Sequence, residues 1–280
     1  MSELKTMHLF AGVGGGILAD LILGHKPVIA VEWDKYACRV LRERVADGWF
    51  EGMSVWEGDV SEFAAHDWQG RVDCIHAGFP CQDISVAGNK AGVAEGTRSG
   101  LYREVLRIAD EVQPEYIFLE NVAAIVTLDD GAVLRTVVGD LASRGYDAVW
   151  TCLSAAEVGA NHKRDRWWCL AYPNSASMER MRLAQRVSSR QLPDSGRKPE
   201  SIPDTNSTFT QREKLTIRSK SESTDYGKYV WWEVEPDVGR VANGIPSASH
   251  RLKGLGNAQV PLQAATAFSL LWDIRKEVTE

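Results

Sequence analysis

Three short stretches of the chain place reactive side chains directly beside apolar runs. In Gly78-Phe79-Pro80-Cys81-Gln82, a cysteine follows Val72–Ala77, which reads as a strand. A thiol at a strand's carboxyl end points into a cleft. As thiolate it is a nucleophile, and a loop or helix N-terminus lowers its pKa. The alternative is an inert buried cysteine, the default for each of Cys38, Cys74, Cys81, Cys152 and Cys169. Glu120 closes the apolar run Tyr116–Leu119, where a carboxyl beside apolar walls can keep a proton near neutral pH. The alternative there is an exposed loop acid. Asn161-His162-Lys163-Arg164-Asp165-Arg166 leads into Trp167–Ala171. Strand alternation would put Arg164 and Arg166 on one face, able to hold a phosphate or a base edge. A surface charge cluster is the alternative.

A second group of residues suits a nucleotide-like ligand. Phe10-Ala11-Gly12-Val13-Gly14-Gly15-Gly16 follows the apolar run Met7–Phe10, and its glycines permit a tight turn and close approach to a ligand. The dinucleotide pattern G-x-G-x-x-G fails, because the last position is Ile17. Glu32 ends the next apolar run, 20 residues beyond Gly12, where an acid can take ribose hydroxyls. The Trp33 indole beside it can stack on adenine. Asp59, followed by Val60, offers an acceptor for an adenine amino group, with a helix N-cap as the alternative.

Apolar runs alternating with helical stretches must position these groups. Strands are expected at Met7–Phe10, Val28–Val31, Val72–Ala77, Tyr116–Leu119 and Trp167–Ala171. Helices are expected at Ile17–Leu23, Tyr36–Val45, Leu101–Val112, Val133–Arg144 and Pro261–Val278. That rhythm argues for a parallel sheet wrapped by helices, with function at the strands' carboxyl ends. Residues 173–230 break it. They hold 11 Lys and Arg against 7 Asp and Glu, with 15 Ser and Thr, on a chain of formal net charge −6. A basic, core-poor segment on an acidic body suits a nucleic-acid-facing module; a solvated flexible segment is the alternative. Five cysteines without C-x-x-C spacing argue against a disulfide framework or a structural zinc site, and no metal site is expected. No stretch has the ~20 apolar residues of a membrane span, and residues 1–6 lack a signal-peptide layout, so a cytoplasmic protein is expected.

The order of these motifs resembles that of the C5-cytosine DNA methyltransferases over nearly the whole chain. The likeness rests on Phe10–Gly15, Glu32-Trp33, Asp59-Val60, Pro80-Cys81-Gln82, Glu120-Asn121-Val122, Arg164-x-Arg166 and Gly256-Asn257-Ala258-Gln259-Val260-Pro261. The resemblance implies an α/β fold: a doubly wound, Rossmann-like methyltransferase sheet of mixed direction with a small target-recognition domain. It divides the chain into a catalytic and cofactor-binding domain (1–172), a target-recognition region (173–238) and a C-terminal segment returning to the catalytic domain (239–280). It implies S-adenosyl-L-methionine as cofactor, held by Phe10, Ala11, Gly12, Gly14, Gly15, Gly16, Glu32, Trp33, Asp59, Val60, Phe79, Asn257 and Val260. One departure is Ala160-Asn161-His162, where the family often has Gln or Pro-Gln.

The implied reaction is covalent. Cys81 attacks C6 of a flipped-out cytosine, Glu120 meets N3 and the exocyclic amine, and Arg164, with Arg166 beside it, holds the O2 side. C5 then takes the methyl, a base such as water removes the C5 proton, and Cys81 leaves. Gln82, Ser85 and Arg98 are expected to face DNA, the last two in a Gly-rich stretch, Asp83–Gly100, that resembles a closing loop. The implied partner is double-stranded DNA, bound by a monomer, with a cognate restriction endonuclease. An RNA (tRNA) cytosine-5 methyltransferase, a non-catalytic DNA-binding relative and a nicotinamide oxidoreductase are the alternatives.

Overall fold

The computed structural model describes residues 3–79, 100–174 and 248–279. Seven strands form one sheet: β1 (Lys5–Leu9), β2 (Lys26–Glu32), β3 (Ser54–Glu57), β4 (Cys74–Gly78), β5 (Tyr116–Val122), β6 (Tyr146–Leu153) and β7 (Arg166–Pro173). Their order is β3-β2-β1-β4-β5-β7-β6. The β1, β2, β3, β4 and β5 pairings are parallel, and β7 runs antiparallel to both β5 and β6. The sheet is thus of mixed direction, as the resemblance implies and unlike the parallel sheet read from the strand–helix rhythm, because β7 runs against both of its neighbours. The order reverses between β1 and β4, and in such sheets ligands bind at the carboxyl ends beside that switch.

Helices α1 (Gly15–Leu23), α2 (Lys35–Ala46), α3 (Gly100–Val112), α4 (Ala132–Ser143), α5 (Ala248–Asn257) and α6 (Pro261–Thr279) accompany the sheet. One core joins Val105, Ile108 and Val112 of α3 and Val137 and Leu141 of α4 to Met7, Ile75, Ile117 and Trp167. On the opposite face, Ala264, Phe268 and Trp272 of α6 pack with Ala19, Phe118 and Trp168. Strand alternation sends the adjacent Trp167 and Trp168 into these two cores. Both are fully buried, each burial being worth roughly 2–3 kcal/mol.

Helix boundaries follow local chemistry. Asp34 caps α2 by accepting from the Tyr36 and Ala37 amides, at 2.9 and 3.1 Å. Gly24 ends α1 in the left-handed region, φ 73°. Strands β3 and β6 and helix α5 lie outside the elements expected from periodicity. Strand β3 has four residues, and β6 carries partly exposed side chains on both faces, so neither shows a clean apolar run.

Candidate active site

The loop after β1 packs against the carboxyl ends of β2 and β4. Phe10 leaves the strand with φ 57°, a left-handed conformation unusual for a phenylalanine. Gly12 and Gly14 take φ 55° and 95°, and Gly14 starts α1. Glu32, at the end of β2, is 7% exposed. Its Oε2 accepts from the Gly12 amide at 2.7 Å, and its Oε1 accepts from the Trp33 and Asp34 amides at 3.0 and 2.8 Å. One carboxylate thereby ties the glycine loop to the end of β2. Oε2, with one amide bound, keeps acceptor capacity for a hydroxyl. Trp33 is 73% exposed, leaving its indole open to stacking. Asp59 caps a 3-10 turn, accepting from the Ser61 amide at 3.0 Å and its hydroxyl at 2.9 Å, as in the capping alternative. Val60 is buried in the core.

Strand β4 ends beside β5, with Gly78 paired to Glu120. Phe79 is buried against Tyr102, and its carbonyl accepts from Asn121 Nδ2 at 3.0 Å, which ties this turn to β5. Cys81, Gln82, Ser85 and Arg98 lie outside the described residues. The Glu120 side chain is 13% exposed, and its Oε1 meets Arg166 Nε at 2.8 Å. Burial pushes the Glu120 carboxyl up, outweighing Arg166, the Gln259 hydrogen bond, Arg164 and His76, which all favour its charged form.

The two arginines part company. Arg166 opens β7, whereas Arg164 precedes the strand with φ 37°, so strand alternation does not align them. The Arg164 guanidinium donates to the carbonyls of Gly256 and Ala258, at 2.9 and 2.6 Å. The arginine facing Glu120 is Arg166, and Arg164 secures the loop carrying Asn257 and Val260. A narrow cleft lined by Phe10, Gly12, His76, Glu120, Asn257 and Gln259 joins the glycine loop to the buried carboxyl.

Sequence reading passed over a polar cluster beneath this cleft. His8 of β1, Asp20 of α1, His25 and His76 of β4 are all buried. His8 Nε2 lies 2.7 Å from Asp20 Oδ2, while the nearest nitrogens of His76 and His25 stand 3.8 and 3.9 Å from Oδ1. Burial alone would raise Asp20. The charge interaction and hydrogen bond with His8, and the nearby His25 and His76, outweigh it, holding the carboxyl well below its ordinary range. The signal was present: Asp20 interrupts Gly15–Leu23, and His8 and His76 interrupt strands, where buried polar residues need partners.

Residues 4–242 match the C-5 cytosine-specific DNA methylases. The chain belongs to this family. Among curated relatives, the type II methyltransferase M.CviJI of Paramecium bursaria Chlorella virus IL3A is 37% identical over 169 residues, covering 60% of this chain and 43% of that protein. M.HhaI of Haemophilus parahaemolyticus is 30% identical over 179 residues, covering 64% and 52%. The chain spans about half the length of these relatives. Among solved structures, a putative DNA modification methyltransferase encoded within an E. coli prophage shares 25% identity at a TM-score of 0.50, covering 62% of this chain and 48% of that one. The S. pombe Dnmt2 methyltransferase aligns at a TM-score of 0.50 with 22% identity, a likeness of fold, over 61% and 51%. Within this methylase family the sheet order and its antiparallel edge are the expected Rossmann-like methyltransferase fold. No described helix is long and apolar enough to cross a membrane.

Proposed function

We propose that this methylase transfers a methyl group from S-adenosyl-L-methionine to C5 of a cytosine flipped out of double-stranded DNA. The observation that carries the reading is Glu120, a buried carboxyl held by Arg166, in one cleft with the glycine loop. The cofactor's fit rests on that loop. Gly12 and Gly14 supply the left-handed turn, Glu32 fixes it and retains acceptor capacity for ribose hydroxyls, and Trp33 offers an open face for adenine. Phe10 and Asn257 line the cleft where the methionine portion would lie, and the resemblance gives Asp59 to the adenine and Phe79 and Val260 to the cofactor pocket. When bound, S-adenosyl-L-methionine supplies an electrophilic methyl.

The chain's own residues act on the base. The Cys81 thiolate bonds to C6. Glu120, whose carboxyl burial shifts toward the protonated form, donates to N3 and accepts from the exocyclic amine, drawing off ring charge so that C5 gains nucleophilicity. Arg166 orients Glu120 and reaches toward O2, the task first assigned to Arg164. After transfer the C5 proton passes to a base such as water, the C6–sulfur bond breaks and the thiolate is restored. Residues 173–238 read the DNA sequence, and Gln82, Ser85 and Arg98 contact the DNA around the flipped base. Relatives described as type II methyltransferases support a role beside a restriction endonuclease. The test is transfer of radiolabelled methyl to duplex DNA and to tRNA by wild type and Cys81→Ser. The expected result is modified DNA with wild type alone and near-normal cofactor binding by both. Near wild-type transfer by the variant overturns the covalent route, and modification of tRNA alone selects the RNA reading.

A further inference from the structure

Gln259, in the loop between α5 and α6, inserts among three glycines. A Cβ on Gly15 would overlap the Gln259 carbonyl oxygen. A Cβ on Gly16 would stand 2.5 Å from Gln259 Oε1, and one on Gly78 would stand 2.9 Å from both Gln259 Nε2 and Glu120 Oε2. Bare backbone at 15, 16 and 78 is what admits this side chain. One end of its carboxamide reaches the active carboxyl, with Nε2 3.5 Å from Glu120 Oε2. The other end points into the buried cluster. The position over Gly16 that is 2.5 Å from Gln259 Oε1 is also 3.3 Å from His76 Nε2. Among the described residues neither of these buried atoms has a hydrogen-bond partner.

A carboxamide is nearly symmetric in shape, and turning it over exchanges donor and acceptor at both ends. We propose that Gln259 is a positioning residue whose carboxamide links the proton on Glu120 to the proton on His76. With Nδ1–H turned toward Asp20 Oδ1, 3.8 Å away, Nε2 carries a proton only when His76 is charged; so when Glu120 is ionised, the amide N–H donates to its carboxylate and Oε1 accepts from the protonated His76 Nε2. When Glu120 is protonated, the amide turns over: the Glu120 hydroxyl donates to Oε1, and the amide N–H donates to the bare Nε2 of a neutral His76. Each state satisfies both ends of the carboxamide, whereas a mismatched proton sets donor against donor or acceptor against acceptor.

The surrounding charges choose between these states. Glu120 faces Arg166 of β7, Arg164 ahead of it, His76 of β4 and Gln259. His76 faces Asp20 of α1, His8 of β1 and Glu120, with Phe118 of β5 packed edge-on against its ring at 4.8 Å. His25 faces the same Asp20. Burial pushes Glu120 up and His76 down, each against its oppositely charged neighbours. Both shifts favour neutral His76 and protonated Glu120, the form able to donate to a base.

This inference rests on Glu120 as the group that meets the cytosine, and its test separates the two. The full chain, labelled with carboxyl-13C glutamate, is titrated by NMR, with Glu120 assigned by the signal lost in Glu120→Gln. His76→Phe is expected to move the Glu120 midpoint by about half a pH unit or more when Gln259 is present. In a Gln259→Met background, which keeps length but removes donor and acceptor, the same change moves it by less than half as much. Equal shifts in the two backgrounds, or none in either, overturn the link. Should His76→Phe fail to fold, His76→Asn is held to the same criterion. Full methyl transfer by Glu120→Gln would instead overturn the catalytic reading and leave the NMR result standing.

Discussion

Glu32→Ala removes a carboxylate that accepts three backbone amides and is 7% exposed. A hydrogen bond to a charged group is worth about 1.5–3 kcal/mol. The three do not simply add, because Trp33 is open to solvent and its amide regains water once the carboxylate is gone. Counting the Gly12 bond in full and the others in part gives a loss of about 3 kcal/mol. For a chain of this size that is a fall in Tm of roughly 6–12 °C. Loss of the ribose acceptor should also weaken S-adenosyl-L-methionine by roughly ten- to a hundred-fold. Glu32→Gln sharpens the argument: its single carbonyl can serve Gly12 or the Trp33–Asp34 pair, and its amine then faces N–H donors at the other end. It should therefore behave nearly as badly as alanine, although it is almost the same shape. The assays are thermal unfolding by circular dichroism and calorimetric titration of the cofactor. A Tm within about 2 °C of wild type in both variants would refute the loop-tying role. An unchanged Kd would refute the ribose contact.

Two further outcomes follow from the same structure. Asp20→Ala removes the buried carboxylate that His8 contacts and that His25 and His76 face, and should cost about 3–5 kcal/mol by urea unfolding at pH 7; a loss below about 1 kcal/mol would mean that the cluster is no ion pair. Replacing residues 173–238 with the matching region of a relative of known target should move methylation to that relative's site, read by bisulfite sequencing, and an active chimera that still marks the original site would refute the recognition role.

Much of the frame was legible because its signals are local. Val28–Val31, Tyr116–Leu119 and Trp167–Ala171 are buried runs, and each lies within an observed strand. Glu120 and Glu32 follow such runs, and both stand at the cleft side of the sheet. Strand β6 and the antiparallel placement of β7 were not legible. A β7 fully buried on both faces looks, residue by residue, like a parallel core strand, and its direction is set by the β6 connection rather than by its own composition. The conformation at Arg164 was hidden for a similar reason: a left-handed arginine carries no sequence mark, so alternation predicted a shared face that the backbone does not provide.

Gln259 shows most directly where local reading ends. Its neighbours Asn257 and Val260 were assigned to the cofactor by resemblance, but nothing local marked Gln259, whose meaning comes from glycines 15, 16 and 78, far away in the chain. Glycine-rich turns are usually credited to backbone freedom, and Gly12 and Gly14 do need it. Gly15, Gly16 and Gly78 have no such conformational demand. They are bare where the Gln259 backbone packs on Gly15 and its side chain passes over Gly16 and Gly78 to reach Glu120, so the loop's composition records a packing constraint. Gly15→Ala would leave φ untouched and still displace the Gln259 backbone, so damage to the glycine loop and to the setting of Glu120 should arrive together. The glycine loop and the Glu120 end of the cleft therefore form one mechanical unit, joined through the loop that Arg164 holds by the Gly256 and Ala258 carbonyls.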